Sequence, residues 1–209
     1  HRRATGSQQA LDLVTRIFVD PGDVILVESP SYVGALQAFI SYQADIRHIA
    51  MDDRGLVPEA LQEALNRLAD EGRSAKFLYT IPSFHNPAGV SQDRERREQI
   101  LAICQSAGLL VLEDDQYGLL GFDGEIPRAL RADDDEGVIY LGSFSKTFAP
   151  GLRVGWACAP HAVREKLVLA SEATMLNSST FSQLLVSRYL ANHAWIDQVK
   201  AFRELYRER

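Results

Sequence analysis

Residues 141–156 read LGSFSKTFAPGLRVGW, an apolar run that ends in small hydroxyl residues and then places a lysine, Lys146, where the backbone must leave a strand. An amine at the rim of a sheet attacks a carbonyl only when neutral, and a nearby guanidinium such as Arg153, partial burial, or both lower its pKa toward that state. The competing reading is a solvated loop charge. Asp114 closes a second apolar run, LLVL, between Glu113 and Asp115. A strand alternates faces, so the three acids cannot all point one way, and a buried one needs a cationic or donor partner. No histidine accompanies them, and DDDE at 133–136 reads as a solvated loop, so no metal centre is expected.

TGSQQ at 5–9 puts Gly6 and Ser7 directly before a helix whose first N–H groups have no intrahelical partner, a setting that suits a dianionic phosphate. Ser7 as a plain N-cap is the alternative. Arg153, able to bond phosphate through two N–H groups, and Ser143 at a strand end favour the anion.

These groups need a scaffold. Ala10, Leu11, Val14, Ile17 and Phe18 repeat with helical period until DPGD (20–23) breaks the pattern before the strand-like VILVE. The alternation continues: helix over 31–43, strand near 46–50, helix over 58–71, strand over 76–81, helix over 91–107, strand over 109–113, strands near 138–142 and 153–159, and three helical segments through 161–209. Strands alternating with helices predict an α/β fold of three layers, α/β/α, with a mostly parallel sheet whose ligands bind outside the strand carboxyl ends. The polar segments ESPSY (28–32), IPSFHNPAG (81–89), EDDQY (113–117) and GSFSK (142–146) should therefore converge on one edge.

The chain has 209 residues, 46% hydrophobic and 24% charged, with a formal charge of -6. That balance argues against disorder and against nucleic-acid or anionic-membrane binding through this segment. With no bilayer-length apolar run and no signal-peptide h-region, a cytoplasmic location is expected. Cys104 and Cys158 are expected to be buried packing residues, with no spacing that would hold a metal. His85 is expected to pack or hydrogen-bond beside Asn86 rather than touch a substrate.

One lysine, one buried acid, a phosphate cradle, Asn86 and the tyrosines Tyr32 and Tyr117 form the set that pyridoxal 5'-phosphate requires: an amine for its aldehyde, an acid for its ring nitrogen, an anchor for its phosphate. From Thr5 to its end the chain resembles the large domain of fold-type I, class I/II aminotransferases. Within them it is similar to the 2-aminoadipate and aromatic enzymes, which carry GSQQALDL and SFSK followed by PGLR. The resemblance implies that Lys146 is the Schiff-base lysine and then the base that moves the proton between Cα and C4'. It implies that Asp114 pairs with the pyridinium nitrogen, that Asn86 and Tyr117 donate to the phenolic oxygen, and that Tyr32 stacks on the ring. Ser7, Gln8, Ser143 and Arg153, joined by Ser145, would hold the phosphate.

Such enzymes also have an N-terminal segment and a small C-terminal domain that supplies the arginine for the substrate α-carboxylate. Residues 1–209 are therefore expected to be the cofactor-binding large domain alone, retaining the cofactor constellation without the substrate-binding parts. The polar HRRA at 1–4 makes the first strand a weak one. Family members are homodimers acting on an amino acid and a 2-oxo acid, and the same is expected of the whole protein. A regulator with a DNA-binding winged helix before a similar domain is the alternative; that family often replaces the Asn of the NPxG loop, which Asn86 retains. A lyase or decarboxylase on the same fold would share every cofactor residue. Trp195, Ile196, Val199, Phe202 and Tyr206 form an apolar stripe expected to face the core.

Overall fold

The computed structural model describes residues 2–122 and 126–208, with backbone alone at Arg2 and Arg3; His1 and Arg209, the two ends of the expected domain, lie outside the described residues. Among the described residues an eight-stranded sheet runs in the order β1-β8-β7-β6-β5-β2-β3-β4. Its strands are β1 (Arg2–Ala4), β2 (Val24–Ser29), β3 (Asp45–Asp52), β4 (Gly55–Leu56), β5 (Ala75–Thr80), β6 (Leu110–Asp115), β7 (Val138–Ser143) and β8 (Gly155–Cys158). The five central strands β7, β6, β5, β2 and β3 are parallel, as the strand–helix alternation predicts.

Residues of these strands sort by the two-residue period of the backbone. Ile25, Val27, Phe77, Tyr79, Leu112, Ile139 and Leu141 pack on one face with Leu11 and Val14 of α1 (Gly6–Phe18), Phe39 of α2 (Val33–Ser41) and Leu167 of α5 (His161–Met175). Val24, Leu26, Leu78, Val111 and Val138 pack on the other with Leu61 of α3 (Pro58–Asp70) and Ile100 of α4 (Arg94–Ala107). Burial on both faces is why these strands are apolar throughout rather than alternating.

β8 returns antiparallel to β7, and β1 antiparallel to β8. Residues 144–154 between β7 and β8 are fewer than the dozen or so a parallel crossover needs, so the chain can only turn back. The weak first strand does form, as three residues paired to β8. Asp93 caps α4 by accepting from Arg96 N at 2.9 Å, and Gly108 ends it in the left-handed conformation, which sharpens the expected 91–107 at its start.

Two expectations are corrected. Cys104 is buried, and burial pushes its thiol up to about 12, but Cys158 is half-buried at the sheet's antiparallel side. The stripe on α7 (Trp195–Arg207) faces the core only in part: Val199 is buried and Trp195 sits edge-on to Phe144, whereas Ile196 and Tyr206 are 51% and 45% exposed. Helix α7 lies against the segment after β6 and α6 (Thr180–Asn192) over β8, so neither reaches the main core. No helix among the described residues is long and apolar enough to cross a membrane.

Candidate active site

The four polar segments that follow the parallel strands do meet. They enclose a cavity of about 210 Å³ at the strand carboxyl ends, lined by Tyr32 after β2, Asn86 after β5, Asp114 and Tyr117 at the end of β6, and Lys146 after β7. Ser7 and Gln8 enter it from the first turn of α1, and Ser145 and Arg153 from the β7–β8 connection. Ile81, Gln116 and Pro150 also line it, three residues that motif reading did not single out. Gln116 stood inside EDDQY, and a polar side chain two residues beyond Asp114 was the available signal.

The anion end is built from close backbone approach. Gly6 has φ +77°, and a Cβ there would lie 2.4 Å from Arg153 Nη2; a Cβ on Gly155 would meet the Gly6 carbonyl carbon at 2.7 Å. Only glycine at both places lets the start of α1 and the Arg153 guanidinium share one corner. Thr5, not Ser7, occupies the N-cap of α1, and it makes no side-chain cap bond. Ser7 is thus inside the first turn, and the plain-cap reading of its hydroxyl falls away.

Arg153 donates from Nη1 to Ser145 Oγ at 3.3 Å. Ser143 is placed differently from Ser145. It is buried, donates to Ser145 Oγ at 2.8 Å and accepts from Ser145 N at 3.0 Å, so it braces the turn behind the cavity rather than lining it.

Gln8 bridges to the opposite wall: its Nε2 donates to Gly34 O at 2.7 Å, and Tyr32 Oη donates to its Oε1 at 3.4 Å. Tyr32 is therefore tied to α1 at the mouth of the cavity. Lys146 is exposed, its Nζ 5.7 Å from the centre of the Tyr117 ring.

Asp114 is the buried charge of the site. Its Oδ2 accepts from Tyr79 Oη at 2.8 Å and its Oδ1 from Gln116 Nε2 at 2.6 Å. Among the described residues no cation pairs with it, and burial raises its carboxyl to about 6 against the pull of those two donors. Glu113 and Asp115 point to the other face, as alternation requires. Glu113 accepts from Leu130 N at 2.9 Å and Arg131 N at 3.1 Å; Asp115 accepts from Gly118 N at 2.8 Å and Tyr140 Oη at 3.1 Å.

A pyridine ring bearing a phosphate and an aldehyde fits this set. Asp114 supplies a buried acid whose partners among the described residues are neutral, so a cationic ring nitrogen would meet an unbalanced charge. The corner that a Cβ at Gly6 would fill supplies an anion seat beside Arg153 and the free N–H groups of α1. Among the described residues Lys146 is the one amine lining the cavity. The described residues contain no cluster of three metal-ligating side chains.

Solved structures place the fold first. A kynurenine aminotransferase of Pyrococcus horikoshii, in complex with PMP, superposes with a TM-score of 0.93 at 38% identity over 99% of this chain and 51% of its own. The sheet is that of the pyridoxal-phosphate-dependent transferases. The family is narrower: residues 4–209 match Aminotransferase class I and II, and the chain belongs to that family. An aromatic-amino-acid aminotransferase of Thermococcus litoralis is 43% identical over 98% of this chain and 49% of its own length. An uncharacterized HTH-type transcriptional regulator of Bacillus subtilis, YisV, is 37% identical over 98% of this chain and 42% of its own. The chain spans about half the length of the curated relatives it matches.

Proposed function

We propose that residues 1–209 are the cofactor-binding large domain of a pyridoxal 5'-phosphate-dependent aminotransferase that moves an amino group between an amino acid and a 2-oxo acid. The observation that carries this reading is Asp114, a buried carboxylate with no cation beside it among the described residues, facing the same cavity as Lys146. When bound, the cofactor supplies an aldehyde that takes up amines and a protonated ring that accepts an electron pair.

The chain's own residues would do the rest. Lys146 would hold the aldehyde end of the cofactor and would serve as the base for the proton at the substrate Cα. Asp114 keeps the ring nitrogen protonated. Asn86 and Tyr117 would donate to the phenolic oxygen, and Tyr32 would orient the ring for reaction at Cα. Ser7, Gln8, Ser145 and Arg153 seat the phosphate, with Ser143 holding the turn that carries Ser145.

The side chain of the amino donor is proposed to be large and apolar. A second cavity of about 340 Å³ shares Tyr117 and Lys146 with the first and is walled by Phe84, Leu120, Phe122 and Tyr206. Burying an aromatic side chain there gains roughly 25 cal/mol per Å² of apolar surface. The assembly we propose is a cytoplasmic homodimer, on the family resemblance of the motifs.

The test mixes the full-length protein with a panel of amino acids and follows the absorbance of the bound cofactor. Conversion to the amine form by aromatic donors ahead of small or acidic ones is expected, and none after Lys146→Ala. A regulator is the second reading, favoured by the likeness to YisV. It predicts amino-acid binding without turnover, together with a basic helix-turn-helix before residue 1. Release of carbon dioxide or of an eliminated fragment would identify a decarboxylase or lyase instead.

A further inference from the structure

Behind the Asn86 loop lies a buried polar cluster that the proposed chemistry does not use. Glu28, at the end of β2, is completely buried. Its Oε1 accepts from Thr80 Oγ1 at 2.7 Å and Gln92 Nε2 at 3.1 Å, and its Oε2 accepts from Ile81 N at 2.8 Å. His85 Nε2 stands 3.1 Å from the same Oε2, bent away from a straight hydrogen bond. The other ring nitrogen, Nδ1, accepts from Ala88 N at 3.2 Å, which leaves the imidazole proton on Nε2, facing the carboxylate.

The backbone of His85 is tied as tightly. Its N donates to Val90 O at 2.8 Å and its O accepts from Gly89 N at 2.6 Å. Residues 85–90 therefore close on His85 as a hub, with Asn86 the residue that projects into the cavity. Glu28 lies four residues before Tyr32, the cavity residue of the opposite loop. A buried carboxylate costs several kcal/mol of desolvation unless its partners balance it, and an apolar residue would fill the space between β2 and β5 without that cost.

We propose that Glu28 and His85 are a positioning pair that ties the Asn86 loop to the loop carrying Tyr32 and fixes the direction in which the Asn86 amide donates. The proposal rests on the reading above that Asn86 faces the cofactor's phenolic oxygen. Neither residue touches the cavity, so both act through Asn86. Glu28→Gln keeps the acceptor for Ile81 N and turns an amide N–H toward the Thr80 and Gln92 side chains, both of which can accept, while removing the charge that faces the imidazole. His85→Asn keeps an acceptor for Ala88 N and loses the reach to Glu28.

The test uses the full-length protein loaded with pyridoxal 5'-phosphate and reads the pH midpoint of its visible absorbance band. Asn86→Ala is expected to raise that midpoint, because the phenolic oxygen loses a donor. Glu28→Gln and His85→Asn should each raise it part of the way, and neither should raise it further in an Asn86→Ala background, since coupled residues are non-additive. Should Glu28→Gln not fold, His85→Asn carries the same comparison.

A second readout needs no cofactor. Hydrogen exchange at Ala88 and Gly89 should rise at least tenfold in the cofactor-free variants. An unmoved midpoint in folded variants, or a shift of equal size with and without Asn86, overturns the positioning role and leaves a packing cluster. A wild-type protein that forms no visible band, or one whose band survives Lys146→Ala, overturns the cofactor reading and this proposal with it; unchanged exchange at Ala88 overturns the pair independently.

Discussion

Glu113 and Asp114 are neighbours on one strand, both buried and both raised by burial, yet they belong to different regions of the molecule. Glu113 faces the α4 side and is closed by two backbone N–H groups of the segment at 130–131. Asp114 faces the cavity and is held by a phenol and a side-chain amide, with no cation opposite it among the described residues. Asp115, on the same face as Glu113, is closed by one backbone N–H, that of Gly118, and by the Tyr140 phenol. Each acid that faces the packed layer holds at least one donor fixed in the backbone, whereas the acid that faces the cavity is held by side-chain donors.

That contrast predicts opposite costs for changes on the two faces. Asp114→Asn should lower kcat/KM of the loaded full-length protein by roughly 10²–10⁴, the range typical of a lost proton-handling group, while its cofactor-free melting temperature hardly falls. A steady-state assay beside a thermal melt decides it; retained activity would break the comparison. Gly6→Ala comes next: a Cβ at that φ runs into Arg153, so affinity for the cofactor should fall about tenfold or more, read by fluorescence titration, and inorganic phosphate should compete less well.

On the opposite face, Glu113→Gln leaves one of two buried N–H groups without an acceptor and should cost about 1–3 kcal/mol in denaturant unfolding, with turnover unchanged. Tyr140→Phe, which removes one donor to Asp115, should cost about 1 kcal/mol and leave cofactor affinity unmoved.

The pH dependence separates the two acids as well. Burial raises Asp114 to about 6 and Glu113 to about 7, each above an unfolded value of roughly 4. Between the unfolded and folded values the native state holds more protons than the unfolded one. Stability of the cofactor-free protein should therefore be greatest near pH 4 as far as these two groups go, fall as pH rises, and level off above about 7. Asp114→Asn should remove the part of the fall that ends near pH 6, and Glu113→Gln the part that ends near 7. Urea titrations across that range would show it.

Much of this site was legible because its residues follow strands. Once residues 24–28, 76–81, 109–113 and 138–142 are recognised as parallel strands, Tyr32, Asn86, Asp114, Tyr117 and Lys146 must come together, and they do. What depends on register was not legible. Tyr79 bonds Asp114 because β5 pairs with β6 at Tyr79↔Leu112, which puts both side chains on one face; no local pattern carries that offset. The bracing role of Ser143 beside the lining role of Ser145 turns on how one loop folds back on Val154, and the Glu28 cluster joins residues 52 and 57 positions apart. The exposed part of the α7 stripe was missed for another reason: helical period reports an apolar face without saying what covers it.

The antiparallel return of β8 has a practical result for anyone moving this machinery elsewhere. Amine and guanidinium ride on a single hairpin, residues 138–158, whose two legs hold each other in register. An insertion in its tip would displace both groups together. Transplanted whole onto another parallel sheet, the segment would carry nucleophile and anion clamp as one cassette, leaving to its host the acid one strand over, the ring-facing side chains and a glycine at the neighbouring helix start.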